Sequence, residues 1–401
     1  MIVEVSGGEF VNRGALLMLR TVAEMLRRCD PPATVCVDVT LCPGYPGPES
    51  GIAPLFPRLI PLRRPYWMFS WSHGLDRVAG SLAPRALCEG RGFVRRRTVR
   101  ALMDISGYAF GDPHPWQRAR LFANMALDYR RRRCPVVMLP QMLGPFRSAK
   151  AADEFRRILD SVDLVFARDK DSLEMAQAVS PGDPRIRLAP DITIFSDDLW
   201  PVVPADGEPY VCIVPNVRML DRGGAEWREI YQPLLAAAAR QIREKGLLLY
   251  ILLHDGSRAE RELAERLVAQ CGEDCRILDD PDPVSLKRII AGARFVVGSR
   301  YHAIVAALSS GVPAVTMGWA HKYDRLLEDF GEARLLIPPR DAQHRLLDMV
   351  EALSQQEERE AMSHRLKERR EAMREANLAM WDAIFALLQI QPPGEWQERK
   401  S

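Results

Sequence analysis

Short apolar runs alternate with helical stretches along most of the chain, and this alternation most constrains the fold. Ile2 to Ser6 predict a buried strand, which is followed by the loop GGEFVNRGA and by a helix from about Leu16 to Arg28. Further strands are predicted at TVCVDVT, ALMDIS, PVVMLP and LVFA, with helices after Trp116 and after Lys150. Strands that alternate with helices in this way form a mostly parallel sheet.

The pattern starts again at YVCIVPN, and it continues through the strands GLLLYILL, CRIL, ARFVVGS and PAVTMG. Helices are predicted between them at about 258–270, 283–292 and 301–309. The 401 residues exceed what one hydrophobic core usually organises. We therefore expect two Rossmann-like α/β domains, residues 1–196 with an insertion at about 43–100 and residues 209–340, followed by closing helices at 341–401. A polar, proline-rich linker is predicted over 197–209.

Composition excludes several classes of protein. Lys and Arg total 55 against 53 Asp and Glu, so the net charge of +2 provides no global field for nucleic acid. The eight cysteines lack the spacing of a zinc site or a disulfide scaffold, which favours reduced thiols in a cytoplasm and no metal. The apolar runs are too short to span a bilayer, and MIVEVSGGEF does not resemble a signal peptide. We expect a cytoplasmic protein.

The common catalytic motifs are missing from the sequence. It contains no GxGxxG after a strand, no GxxxxGK[ST] loop, no HExxH and no GxSxG. Dinucleotide, nucleotide-hydrolysing, metalloprotease and serine hydrolase functions therefore lack support, and no cofactor is expected.

The most informative segment is ARFVVGSRYHAIVAALSSGVPAV, where a strand ends near Val297 and a helix begins near Tyr301. Free helix amides, the helix dipole and Arg300 together predict an anion site there, next to His302. The alternative is that Ser299 caps the helix and His302 bonds to backbone, and the segment alone favours neither interpretation.

Two other cations stand at predicted helix starts. Arg168 in FARDKDSLEMA follows a strand, and Lys322 in GWAHKYDRLLEDFG comes one strand after His302. Each also has an ordinary structural interpretation: Arg168 pairs with Asp169 or Asp171, or Lys322 is a solvated lysine.

Four motifs, PQMLGPF, FARDKDSLEMA, APDITIF and GSRYHAIVAALSSGVPAV, occur in this order along the chain, and together they resemble the polysaccharide pyruvyl transferase family. The resemblance runs from NRGA, near residue 12, to about residue 330. It implies a glycosyltransferase-B-like fold with a central cleft and transfer of the pyruvyl group of phosphoenolpyruvate to sugar hydroxyls as a ketal. It also implies donor-site roles for a set of five residues, Arg168, Ser299, Arg300, Tyr301 and Lys322.

The donor's chemistry assigns further roles. Phosphoenolpyruvate carries a carboxylate and a phosphate, which fixed cations can bind without metal. Its methylene carbon must receive a proton, for which we favour His302. The acceptor hydroxyl must lose one, and Asp104, Asp112 and Asp191 are candidate bases or sugar ligands, with Asn12 also on the acceptor side.

Other interpretations remain open from the sequence. Runs at 95–97 and 130–133 and the aromatic stretch 66–71 could touch an anionic inner membrane face carrying a lipid-linked acceptor, although a solvated arginine face is the commoner meaning. A nucleotide-sugar-dependent glycosyltransferase or a catalytically silent binding protein of the same fold would also fit. The acceptor sugar, its carrier and the oligomeric state are not determined by the sequence.

Overall fold

The computed structural model describes residues 1–47, 50–55, 92–200, 208–271, 275–320, 322–394 and 396. These residues form two compact units. Unit 1 comprises Met1–Phe10, Met18–Ile192 and Glu375–Ser401, and unit 2 comprises Val11–Leu17 and Thr193–Arg374.

Unit 1 is built on a parallel sheet in the order β3-β2-β1-β4-β6-β7-β8, with β5 paired to β6. Its strands are β1 Ile2–Ser6, β2 Thr34–Asp38, β3 Ala53–Leu55, β4 Ala101–Asp104, β5 Tyr108–Phe110, β6 Val136–Leu143, β7 Leu164–Ala167 and β8 Ile186–Leu188. The long strand β6 is buried along its whole length, as expected of a strand covered on both faces. The strand order changes direction between β1 and β4, and in such sheets the ligand crevice lies at this point, outside the carboxyl ends of the strands.

Polar side chains cap the helices of this unit. Ser148 accepts a hydrogen bond from the amide of Ala151, and Asp169 accepts one from the amide of Ser172. The helices are α1 Arg13–Arg27, whose first turn is grouped with unit 2, and then α2 Trp116–Arg131, α3 Ala149–Leu159 and α4 Lys170–Val179, with α13 Arg374–Leu388 near the end of the chain.

Unit 2 has a second parallel sheet, in the order β11-β10-β9-β12-β13-β14. Its strands are β9 Tyr210–Val214, β10 Leu248–Leu252, β11 Cys275–Leu278, β12 Val296–Gly298, β13 Ala314–Met317 and β14 Leu336–Ile337. The order changes direction between β9 and β12.

Eight described helices accompany this sheet. They are α5 Arg218–Asp221, α6 Gly224–Glu244, α7 Arg258–Cys271, α8 Pro283–Ala291, α9 Tyr301–Ser309, α10 Lys322–Asp329, α11 Ala342–Ser354 and α12 Gln356–Ala372. None of the described helices of either unit is long and apolar enough to cross a membrane. The predicted helices at about 258–270, 283–292 and 301–309 are confirmed to within one residue.

The boundary between the units differs from the predicted one. Thr193 to Asp198 belong to unit 2. The buried ammonium of Lys287 holds this segment, because it donates hydrogen bonds to the Thr193 carbonyl at 2.9 Å and to the Ser196 hydroxyl at 2.8 Å. The predicted linker starts inside this packed segment, and its residues 201–207 lie outside the described part.

The closing helices are divided between the units rather than forming one element. Helices α11 and α12 belong to unit 2, whereas the chain from Glu375 returns to unit 1. There Gln391 forms an antiparallel bridge with Asp30.

The predicted insertion is only partly described, since residues 56–91, including the aromatic stretch 66–71, lie outside the described residues. Arg96 in the first arginine run is not a solvated or membrane-facing residue. Its guanidinium bonds to Asp38 and lies 3.4 Å from Glu4, and its side chain is only 14% exposed. The second run, 130–133, is exposed.

Candidate functional site

The carboxyl edge of the unit 2 sheet gathers polar side chains from four adjacent strands. His254 follows β10, Asn216 follows β9, Ser299 follows β12 and Trp319 follows β13. Because the strands are parallel, these residues share one edge, and the β9–β12 pair marks the point where the strand order reverses. This is where an open α/β sheet binds its ligand.

Hydrogen bonds fix the turn between β12 and α9. The Ser299 carbonyl accepts from Asn216 Nδ2 at 2.7 Å and from the Tyr323 hydroxyl at 2.8 Å. Gly298 lies close to the neighbouring strand, because a Cβ there would stand 3.0 Å from the Val214 carbonyl oxygen, a tight contact. Helix α9 then begins at Tyr301, and first-turn amides of a helix have no intrahelical acceptor, so they can meet an anion.

Three predicted site residues come together at this helix start. The rings of Tyr301 and His302 meet edge to face at 5.3 Å between centroids. Lys322 Nζ lies 5.1 Å from the Tyr301 ring centre, and within 5.4 Å of the rings of Trp319 and Tyr323. An ammonium group and an imidazole therefore flank one tyrosine at the edge of the sheet.

The Arg300 side chain is held by two carboxylates. Its Nε donates to Glu260 at 2.7 Å, its Nη2 bonds to the same carboxylate, and its Nη1 lies 3.2 Å from Asp255 Oδ2. Burial opposes its charge, but the Glu260 and Asp255 carboxylates hold the pKa of Arg300 above its usual value. Two carboxylates thus compensate this cation and hold its side chain at the start of α9, and its role in donor binding stays a prediction.

His254 is a second histidine of this region, which sequence reasoning missed. Burial, together with the nearby His302, Arg300 and Arg13, lowers the pKa of His254 to about 3. His254 is therefore a neutral imidazole at physiological pH. The signal that could have found it is its place in LLHDG, directly after the predicted strand GLLLYILL.

In unit 1, the structure brings together two residues that were predicted separately. Arg168 follows β7 and Asp191 follows β8, the neighbouring strand, and Arg168 Nη1 lies 3.2 Å from Asp191 Oδ2. Both side chains are at most 5% exposed. Arg168 thus pairs with Asp191, and Asp169 caps α4.

Comparison with known proteins now decides the family. The sequence profile described as polysaccharide pyruvyl transferase matches residues 12–321, most of the chain. The chain belongs to the polysaccharide pyruvyl transferase family. It is therefore a transferase, and the matched range contains Arg168, Arg300 and His302. A search of curated proteins found no match.

Several solved structures share the fold of this transferase. UDP-N-acetylglucosamine 2-epimerase from Neisseria meningitidis, bound to UDP-GlcNAc, is 10% identical with a TM-score of 0.55, over 94% of this chain and 100% of that one. The S. aureus MnaA structure with UDP is 12% identical with a TM-score of 0.57, over 92% and 90%. Anabaena HepE with UDP is 12% identical with a TM-score of 0.55, over 96% and 99%. At these identities the likeness shows the fold alone, the glycosyltransferase-B-like combination of two Rossmann-like α/β units.

Another acceptor-side candidate, Asp104, lies in a network of hydrogen bonds in unit 1. The buried Asp104 carboxylate accepts from the Ser6 hydroxyl at 2.6 Å, from the Ser106 hydroxyl at 2.9 Å and amide at 3.1 Å, and from Gln141 Nε2 at 3.1 Å. Burial raises its pKa although these four donors oppose the shift. Asp104 therefore joins the ends of β1, β4 and β6 at the point where the order of the unit 1 sheet reverses.

Asp112 and Asn12 both organise backbone. Asp112 is exposed, and it accepts from the Ser148 hydroxyl and from the amides of Arg147 and Ser148, bonds that hold the pKa of this carboxyl below its usual value. Asn12 Oδ1 accepts from the amides of Gly14 and Ala15 at the start of α1. Asn12 belongs to unit 2, not to the N-terminal domain in which the sequence analysis placed it.

Proposed function

We propose that the chain transfers the pyruvyl group of phosphoenolpyruvate to two hydroxyls of a sugar in a polysaccharide or its precursor, forming a pyruvate ketal. The observation that carries the proposal is the grouping of Tyr301, His302 and Lys322 at the reversal point of the unit 2 sheet, in a chain of this transferase family. The donor brings a carboxylate and a phosphate, and Lys322 with the first-turn amides of α9 supplies positive groups for them.

The reaction needs a proton donor, and we assign this role to His302. In the first step, a sugar hydroxyl forms a bond from its oxygen to C2 of phosphoenolpyruvate, the double bond opens, and C3 receives a proton to become a methyl group. In the second step, another hydroxyl of the sugar bonds to C2 and the C2–O bond to phosphate breaks. His302 gives the proton to C3, and the two hydroxyls release one proton each.

Arg300 has a supporting role in this proposal. Its pairing with Glu260 and Asp255 holds the turn from which Tyr301 and His302 project. We propose Arg168 as a donor-binding residue, and Asp112 and Asp191 stay candidates for the base. Asp104, which already accepts four hydrogen bonds, is less free to accept a hydroxyl proton.

The test is phosphate release from phosphoenolpyruvate by the purified protein, with EDTA present because the proposed mechanism needs no metal. The acceptors are simple hexosides, UDP-linked sugars and lipid-linked sugars. We expect acceptor-dependent release in the wild type and a loss on the order of 100-fold or more in His302→Gln. His364→Gln is the matched control, because His364 is a 75% exposed histidine that pairs with Glu368 on its own helix.

Three outcomes discriminate among functions. Phosphate release that depends on acceptor and on His302 supports pyruvyl transfer. Turnover of a UDP-sugar without any release from phosphoenolpyruvate would replace the proposal with a glycosyltransferase, an activity consistent with the UDP complexes of proteins with this fold. Neither activity, with a folded protein, would favour a silent binding protein.

A further inference from the structure

Gly14 lies directly against the imidazole of His302. A Cβ built on Gly14 would stand 2.5 Å from His302 Cγ and 2.7 Å from its Cβ, and closer still to Nδ1. Real Cβ atoms do not approach other atoms at such distances. Any side chain at position 14 therefore requires either the imidazole or the backbone of the Asn12–Gly14 turn to move.

The turn itself is held firmly. Asn12 Oδ1 accepts from the Gly14 amide at 3.0 Å, which fixes the start of α1. Asn12 also forms an antiparallel bridge with Asp255, and the Gly256 amide donates to the Val11 carbonyl at 3.2 Å. These bonds tie the turn to the segment that follows β10.

The neighbouring Arg13 adds further attachments. Its amide donates to the His254 carbonyl at 3.2 Å, and its Nε donates to the Asp280 carbonyl at 3.2 Å. Its Nη2 lies 3.5 Å from Asp279 Oδ1. The turn is thus fastened to the chain after β10 and after β11, so a side chain at position 14 would displace the imidazole more readily than the turn.

We infer that Gly14 is a positioning residue for His302: its lack of a side chain sets where the imidazole stands. The backbone at Gly14 borders the His302 imidazole, and the Tyr301 ring meets the same imidazole edge to face. The catalytic consequence rests on the proposed function, whereas the contact itself does not.

The first test is a thermal-unfolding cycle, which needs no substrate. Gly14→Ala should lower the Tm by about 5 °C, since overpacking at a fixed site is destabilising. In a His302→Gly background both the imidazole and the Cβ that a side chain at position 14 would meet are gone, and Gly14→Ala should then leave the Tm nearly unchanged. Gly256→Ala is the matched control, because a Cβ at Gly256 would find its nearest atom, on Arg13, at 3.5 Å.

An equal Tm loss in both backgrounds would overturn the inferred contact whatever reaction the protein catalyses. If Gly14→Ala alone does not fold, its recovery in the double variant tests the same contact, and failure of the double variant to fold would count against it.

The second test is kinetic and uses phosphate release from phosphoenolpyruvate. Gly14→Ala should reduce kcat on the order of 100-fold with KM for phosphoenolpyruvate changed less than about threefold, because a displaced proton donor affects chemistry more than binding. In His302→Ala the same substitution should have no further effect on kcat. A Gly14→Ala protein with wild-type kcat, or one that loses the same factor without His302, would overturn the positioning role.

Discussion

Arg168 and Asp191 form a buried ion pair at the ends of two neighbouring strands, β7 and β8. Arg168 Nη1 lies 3.2 Å from Asp191 Oδ2, and the two side chains are 5% and 1% exposed. Motifs 23 residues apart thus meet as one charged pair. Breaking a buried pair on one side leaves the other charge without compensation, which is far more costly than losing a surface pair.

Asp191→Asn should therefore destabilise unit 1. We expect a loss on the order of 3 kcal/mol in the free energy of unfolding, measured by urea denaturation. Arg258→Gln is the control, because Arg258 pairs with Glu262 while 92% exposed, and we expect no measurable change there. An Asp191→Asn protein as stable as the control variant would show that Arg168 is compensated in another way.

The ion pair between Arg300 and Glu260 leads to a second prediction. Glu260→Gln should destabilise the protein on the order of 3 kcal/mol, because the buried guanidinium loses its bidentate partner. Adding Arg300→Met should restore part of that loss, since the buried guanidinium is then removed and the remaining Asp255 carboxylate, 18% exposed, reaches solvent. Glu262→Gln, an exposed glutamate on the same helix, is the control. A double variant less stable than Glu260→Gln would contradict the pairing role.

The strands and helices whose burial follows the local hydrophobic pattern were predicted from the sequence. Strands such as β9 and β12 are apolar runs covered on both faces, and α9 was predicted at its observed bounds because a strand, a short polar turn and an apolar helix leave one solution. The same local pattern placed His302 at a helix start, and Lys322 at another.

Contacts between distant segments were not predictable in this way. Gly14 meets His302 across 288 positions, and Glu260 reaches Arg300 across 40, but hydrophobic periodicity does not determine which loops meet at a sheet edge. Arg300 was predicted as a ligand cation because a single sequence shows a charge without its partner. The start of the second domain was predicted at residue 209 and not at Thr193 for a similar reason, since Lys287, which donates a hydrogen bond to Thr193, lies far along the chain.

His254 predicts how stability depends on pH. Its pKa is about 3 in the folded protein, below its unfolded value of 6.5, so the unfolded chain binds an extra proton between these values. Stability from this group is fully present above about pH 6.5 and is lost as pH falls towards 3. Each such proton contributes a slope of about 1.4 kcal/mol per pH unit.

Replacing His254 should therefore flatten the acid side of the stability curve. We expect the slope of unfolding free energy between about pH 4 and pH 6 to fall by up to about 1.4 kcal/mol per pH unit in His254→Gln, even if the variant is less stable overall. His344→Gln, at an 81% exposed position, should leave the slope unchanged. Equal slopes in His254→Gln and the wild type would show that this imidazole is protonated in the folded state.

Lys322 allows donor binding to be separated from folding. Its ammonium lies 5.1 to 5.4 Å from three aromatic rings, an arrangement that orients the charge at the start of α10. We expect Lys322→Met to raise KM for phosphoenolpyruvate at least about tenfold, and Lys322→Arg to raise it less because the charge is kept. Lys150→Met is the matched control, since Lys150 Nζ stands 4.3 Å from the Trp116 ring centre in unit 1, and KM should not change. If Lys322→Met instead lowered the Tm while KM stayed constant, the aromatic cluster would be a packing feature and the donor's charge would have to be met elsewhere.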